Sequence, residues 1–183
     1  EKSTKDREDK NLNEAREFCE KAIEKDPLFS LAYSMLAKIN HSELIRFAKE
    51  DSDAILDEMF ENASKAAELD PQNPESSVML SRYYFFESDF TFSQNHAEKA
   101  VELNPSNPEA YMRLGLSMIH QGDYENSEEF VRKSIEIDPL DPKIVRRKIP
   151  YFFLYMGRKE FQKAFEITKE ILEHSPNAGL VKG

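Results

Sequence analysis

The sequence predicts an all-α chain, a solenoid of antiparallel helical hairpins. Three observations predict it. Pro71, Pro105 and Pro139 recur at an interval of 34 (71 to 105, 105 to 139), each behind an Asp or Asn. Pro74, Pro108 and Pro142 repeat that punctuation three residues further on. Between these marks apolar residues return every three or four positions, the spacing of an amphipathic helix face.

Residues 1–10 carry no apolar side chain and are expected to form a charged, disordered tail. In 11–26, Ala15, Phe18, Cys19, Ala22 and Ile23 make one helical stripe, the second helix of a hairpin whose first helix is missing. A helix without its partner leaves part of an apolar face open. Self-association through this edge, and a chain cut from a longer protein, are the corresponding expectations.

The next hairpin, 28–70, opens with Ala32, Tyr33, Leu36 and Ala37 and closes with Met59, Ala63, Ala66 and Ala67. The interval from Pro27 to Pro71 is 44, ten more than the repeat. No Gly or Pro breaks the pattern before Glu50-Asp51-Ser52-Asp53, which places about five extra residues on each helix and a tip roughly 7 Å beyond its neighbours. Leu44, Ile45, Phe47, Ile55 and Leu56 would pack that tip.

In 73–104, Asn73-Pro74 starts a helix, Leu80, Ser81 and Tyr84 form its stripe, and Ser88-Asp89-Phe90 turns the chain. In 107–138, Asn107 is an N-cap ahead of Pro108, and Ala110, Leu114 and Met118 form the stripe. Gly122 suits a positive φ and Asp123 the next cap. Tyr124, Ser127, Val131, Ser134 and Ile135 then line the second helix. The last hairpin, 141–175, is longer by three. Gly157 reads as its turn, with the extra residues between Gly157 and Phe161, and Pro150 should bend its first helix. The tail 177–183 follows.

Net charge is −10, from 35 acidic and 25 basic residues, which argues against a general nucleic-acid binder. No apolar run reaches the roughly 20 residues of a membrane span. Cys19 is the lone cysteine, so no intrachain disulfide can form. A reducing, cytoplasmic setting is the expectation. The sequons at Asn40 and Asn62 fall inside helical patterns and read as chance.

The unit Tyr111-x2-Leu114-Gly115-x2-Met118, Gly122-Asp123-Tyr124, Ser127, Ile135, Asp138-Pro139 resembles a tetratricopeptide repeat, and the resemblance spans 11–176. It implies a right-handed superhelix whose concave wall is built from first helices. It further implies a non-enzymatic scaffold that binds a peptide or protein segment, of acidic character, along that wall. The wall positions carried over are Lys38, His41, Met79, Arg82, Phe85, Phe86, Met112, Arg113, His120, Arg147, Lys148, Tyr151 and Tyr155. The enlarged repeat followed by Asp138-Pro139-Leu140-Asp141-Pro142 is also similar to arrays behind bacterial cyclase or winged-helix domains, which would make this a regulatory or self-association segment.

The family's carboxylate clamp is absent as a set, since Ser34/Lys38, Val78/Arg82, Met112/Leu116 and Arg147/Tyr151 stand at its Lys/Asn positions. No catalytic, cofactor or metal site is expected. The four histidines have no ligand spacing, no Gly-rich phosphate loop or flanked Ser nucleophile occurs, and the carboxylates of Glu125, Glu128, Glu129 and Glu136 sit on a solvated face. The densest basic run, Arg146-Arg147-Lys148 with Lys143 and Arg158, reads chiefly as a solvated face.

Overall fold

The computed structural model describes residues 2–47, 52–141 and 144–174. Among these the regular elements are helices, in the order α1 (Lys2–Lys25), α2 (Ser30–Phe47), α3 (Ser52–Leu69), α4 (Pro74–Phe86) and α5 (Phe90–Leu103). α6 (Pro108–His120), α7 (Tyr124–Glu136), α8 (Ile144–Arg147), α9 (Ile149–Gly157) and α10 (Phe161–His174) complete the series. The chain divides into two compact units, 1–83 and 84–183.

The proline junctions work by one device. The carboxylate or amide oxygens of Asp26, Asp70 and Asn104 accept the N–H two residues on, at 3.0, 3.0 and 3.1 Å. Their carbonyls accept the N–H three residues on, from Phe29, Asn73 and Asn107. Proline fits the intervening position because its φ is preset and its missing N–H is not needed there. Asn73 and Asn107 then cap the following helices, accepting from Glu75 and Glu109 at 3.0 Å each.

The hairpin turns repeat as faithfully. Ser88, Gly122 and Lys159 have φ of 60°, 86° and 60°. The N–H of the next residue reaches back five positions in each case, from Asp89 to Tyr84, Asp123 to Met118 and Glu160 to Tyr155. This is a helix end closed by a left-handed residue. Lys159 is therefore the third turn residue, and the expectation that Gly157 holds that place is corrected. From turn residue to junction proline the distance is constant (88 to 105, 122 to 139, 159 to 176). The three extra residues thus lie in the first helix of the last hairpin, not between Gly157 and Phe161. They accompany a break at Lys148, where three-residue hydrogen bonds from Lys148 to Val145 and from Tyr151 to Lys148 separate α8 from α9. Pro150, fully buried, removes the next helical donor and crowds the carbonyl four residues back.

In the first unit α2 and α3 are 18 residues each, against 13 in α4 and 14 in α5. The helices close on small residues, with Ala37, Ala63 and Ala66 fully buried beside Met59. α1 packs on α2, and Arg16 ties it down by ion pairs to Glu43 at 2.6 Å and Glu58 at 3.6 Å. α1 begins at Lys2, so the expected disordered tail 1–10 is corrected over its described part. Lys and Glu are good helix formers, and Lys10 and Glu14 pair one turn apart at 3.6 Å. The tip at 48–51 and the tail 177–183 lie outside the described residues. Asn40 is fully buried, donates to Glu58 at 2.9 Å and accepts from Asn62 at 3.1 Å, so the first sequon offers no reachable amide.

In the second unit Gly115 lets α6 and α7 touch. A Cβ there would stand 2.7 Å from Val131 Cγ2 and 3.2 Å from the Ser127 carbonyl. Ser127 and Ser134 are fully buried and satisfy their hydroxyls on carbonyls of their own helix, at Tyr124 and Val131. Ala97, Leu114 and Met118 form one core cluster, and Ile119, Val131 and Leu154 another.

Candidate functional site

The expected wall residues divide between the units. In the first, His41 is buried and its Nε2 lies 2.6 Å from Arg82 Nη1. Lys38 pairs with Glu75 at 2.6 Å, and Met79 is buried in the core. The polar groups here meet one another, and the network holds α2 to α4.

In the second unit the α4 end, α6 and α9 bring together Phe85, Arg113, His120 and Phe153. The Arg113 guanidinium lies 5.1 Å from the Phe85 ring centre, within cation–π range. His120 stands edge-on to Phe85 at 4.8 Å, and 4.9 and 5.3 Å from Phe90 and Phe153. Its Nδ1 is 2.9 Å from the Leu116 carbonyl, and its side chain is exposed. Arg113 also lies 3.8 Å from Glu109. Met112 is buried beside it, and Phe86 is exposed.

The remaining expected residues go elsewhere. Arg147 is buried, donates to the Ser134 and Asp138 carbonyls at 3.2 Å each, and pairs with Asp141. It caps the end of α7. Lys148 pairs with Glu170, and Arg158 with Glu128 at 2.5 Å. Arg147, Lys148 and Arg158 of the basic run are thus spent on internal partners, Arg146 is exposed, and Lys143 lies outside the described residues. Tyr151 and Tyr155 stack at 5.7 Å, and Lys163 lies 5.4 Å from the Tyr155 ring. Burial, then the neighbouring Tyr155 and Glu128, pushes the Tyr151 phenol up to about 12.

Register explains this. Counted back from the turn, Tyr151 and Tyr155 stand where α6 has Leu114 and Met118, which cluster with Ala97 of α5, and they pack on the cluster that holds Val131 of α7. Phe153 takes the place of Leu116 and Gly157 that of His120. Contacts agree with the alignment. Phe90 packs on His120 as Tyr124 packs on Gly157, where an added Cβ would strike the Tyr124 ring. Gln121 donates to the Phe90 carbonyl and to Gln94 as Arg158 donates to the Tyr124 carbonyl and to Glu128. Counting from the proline missed Phe153; counting from a left-handed turn residue before Glu160-Phe161 would have found it.

Tandem hairpins with one junction and one turn make this a helical-repeat protein. Residues 78–142 match the family model described as Tetratricopeptide repeat. Among solved structures, MamA is 21% identical, with 94% of this chain and 87% of that one aligned and a TM-score of 0.60. TTC0263, a thermophilic TPR protein of Thermus thermophilus, is 16% identical over 91% of this chain and 84% of its own, at 0.67. YrrB, described as a TPR protein with an unusual peptide-binding site, is 19% identical over 92% of this chain and 80% of its own, at 0.59. By sequence, no curated protein matches the chain. Residues 78–142 thus match tetratricopeptide repeats, and the chain is all-α, of the α-α superhelical fold class of these neighbours. That fold suggests a scaffold for protein–protein interaction. Among the described residues no helix is long and apolar enough to cross a membrane.

Proposed function

We propose that the chain is a non-enzymatic scaffold whose first-helix faces receive a peptide or protein segment, with the α6–α9 face of the second unit as its anchor. The observation that carries this is the cluster of Phe85, Arg113, His120 and Phe153. A buried guanidinium braced on an aromatic ring beside exposed imidazole is the mixture that anchors interfaces. An apolar side chain would seat among the rings, and an acidic residue would reach Arg113, which holds carboxylates in a planar fork. The peptide-binding site described for YrrB supports the reading.

In the first unit, Lys38, His41 and Arg82 would supply secondary contacts. Arg147, Lys148, Tyr151 and Tyr155, turned toward internal partners, contribute by holding α9 in place. The test is selection of a displayed library of short random peptides on the intact chain. Recovered peptides should be enriched in Asp or Glu, and Phe153→Ala or Arg113→Glu should weaken them by roughly tenfold or more. Peptides that bind both variants as tightly as the parent would refute the assignment.

A further inference from the structure

We propose that Glu109 is a built-in stand-in for the ligand's carboxylate, and that the α6–α9 face selects a peptide whose acidic residue lies three residues from an apolar one. The inference rests on the reading of that face as the anchor. The internal repeat supplies its starting point. Asn73-Pro74-Glu75 and Asn107-Pro108-Glu109 open α4 and α6 alike, which puts a glutamate at the same place in each first helix. In the first unit Glu75 holds the wall cation Lys38 at 2.6 Å. In the second, Glu109 stands 3.8 Å from Arg113. The side chain of Arg113 is 9% exposed and that of Glu109 32%, so the carboxylate is the more accessible half of the pair. A ligand carboxylate reaches the guanidinium by taking its place.

Two consequences define the occupant. Exchanging one carboxylate for another returns only part of the attraction, so charge alone binds weakly and the apolar seat must supply the rest. The place of that seat fixes the spacing. Arg113 and His120 are seven residues apart on α6, about two turns and roughly 10 Å. Both stand beside Phe85, at 5.1 and 4.8 Å from its ring centre, and Phe153 lies 5.3 Å from His120. A β-strand repeats its face every second residue, about 6.7 or 13 Å apart, and misses this distance. A polyproline II segment repeats its face every third residue, about 9 Å apart, and matches it. An acidic side chain at Arg113 then brings the residue three away beside His120 and Phe153.

The test titrates the full chain, Glu109→Gln and Phe153→Ala into a fluorescein-labelled, capped peptide carrying one Asp with a Phe three residues to each side and prolines between. Anisotropy reads the affinity. Two controls replace the Asp by Asn or move each Phe one residue closer. Glu109→Gln should tighten the Asp peptide about threefold or more and leave the Asn peptide unchanged. The closer spacing should bind at least tenfold more weakly. If Phe153→Ala weakens the probe but Glu109→Gln leaves it unchanged, or shifts both peptides equally, the stand-in is overturned while the anchor face stands. Equal binding at the closer spacing, or tighter binding of a helical peptide with the pair seven apart, overturns the spacing. A probe that no chain binds, or that ignores Phe153→Ala, sinks the anchor reading and this inference with it.

Discussion

Replacing Gly115 by Ala sets two terms against each other at the α6–α7 contact. Ala is favoured over Gly in a helix interior by about 1 kcal/mol. The new methyl, however, would lie 2.7 Å from Val131 Cγ2, 3.1 Å from the Val131 nitrogen and 3.2 Å from the Ser127 carbonyl oxygen. The first distance is about 1 Å inside a comfortable carbon–carbon contact. Val131 is fully buried and β-branched, so it cannot swing away without opening its own cluster. Overpacking of this kind costs about 1–3 kcal/mol. The clash wins, and Gly115→Ala should lower stability by about 1 kcal/mol, a fall in Tm of roughly 2–4 °C for a chain of this size.

A double-mutant cycle isolates the cause. Val131→Ala alone should cost about 2 kcal/mol through lost burial and a small cavity. In that background the worst contact is gone, and Gly115→Ala should turn neutral or stabilising, giving a coupling of about 1–2 kcal/mol. Urea denaturation followed by far-ultraviolet circular dichroism measures all four corners. A more stable Gly115→Ala chain, or an effect equal in both backgrounds, would refute the claim that this glycine exists for helix approach.

The remaining predictions concern caps, turns and one histidine. Asn73 donates to Ser30 and Ser34 at 3.1 and 2.7 Å and caps α4, so Asn73→Ala should cost about 2–3 kcal/mol by denaturation, whereas Asn107→Ala, which loses a cap alone, should cost about 1 kcal/mol. Lys159→Gly and Ser88→Gly should each raise stability by about 0.5–1 kcal/mol because φ is positive at both, while Gly157→Ala should lower it; the reverse order would sink the turn assignment. Burial, with the charge of Lys99, holds the His96 imidazole below its usual range. The unfolded chain then binds the extra proton, so stability should fall as pH drops from 6.5 toward the lower folded value, and His96→Gln should flatten that slope in thermal melts across the window.

Much of the fold was legible because its punctuation is local. An Asp or Asn before proline closes a turn with its own side chain, and an Asn two residues later caps the next helix; both need only neighbouring residues. Arg147 and Lys148 could not be assigned that way. Their place depended on whether Asp141 and Glu170, six and 22 residues away, would reach them, and charge composition says nothing about reach. His41 was legible as a first-helix residue, but its meeting with Arg82 across two helices was not.

The error at the last hairpin shows which local signal governs register. A junction proline marks where one hairpin stops, but the first helix of the next can start late or break, as it does at Lys148. The turn cannot drift, because its left-handed residue and the five-back hydrogen bond fix how the second helix faces the first. Gly157 misled because glycine at a helix end usually supplies positive φ. Here it supplies room for the Tyr124 ring, and Lys159 accepts the strained backbone two residues later. The proposed binding face therefore follows the turns: α9 presents Phe153 beside His120 and turns Tyr151 inward, and any ligand contact at the C-terminal end of the second unit should map to Phe153 before either tyrosine.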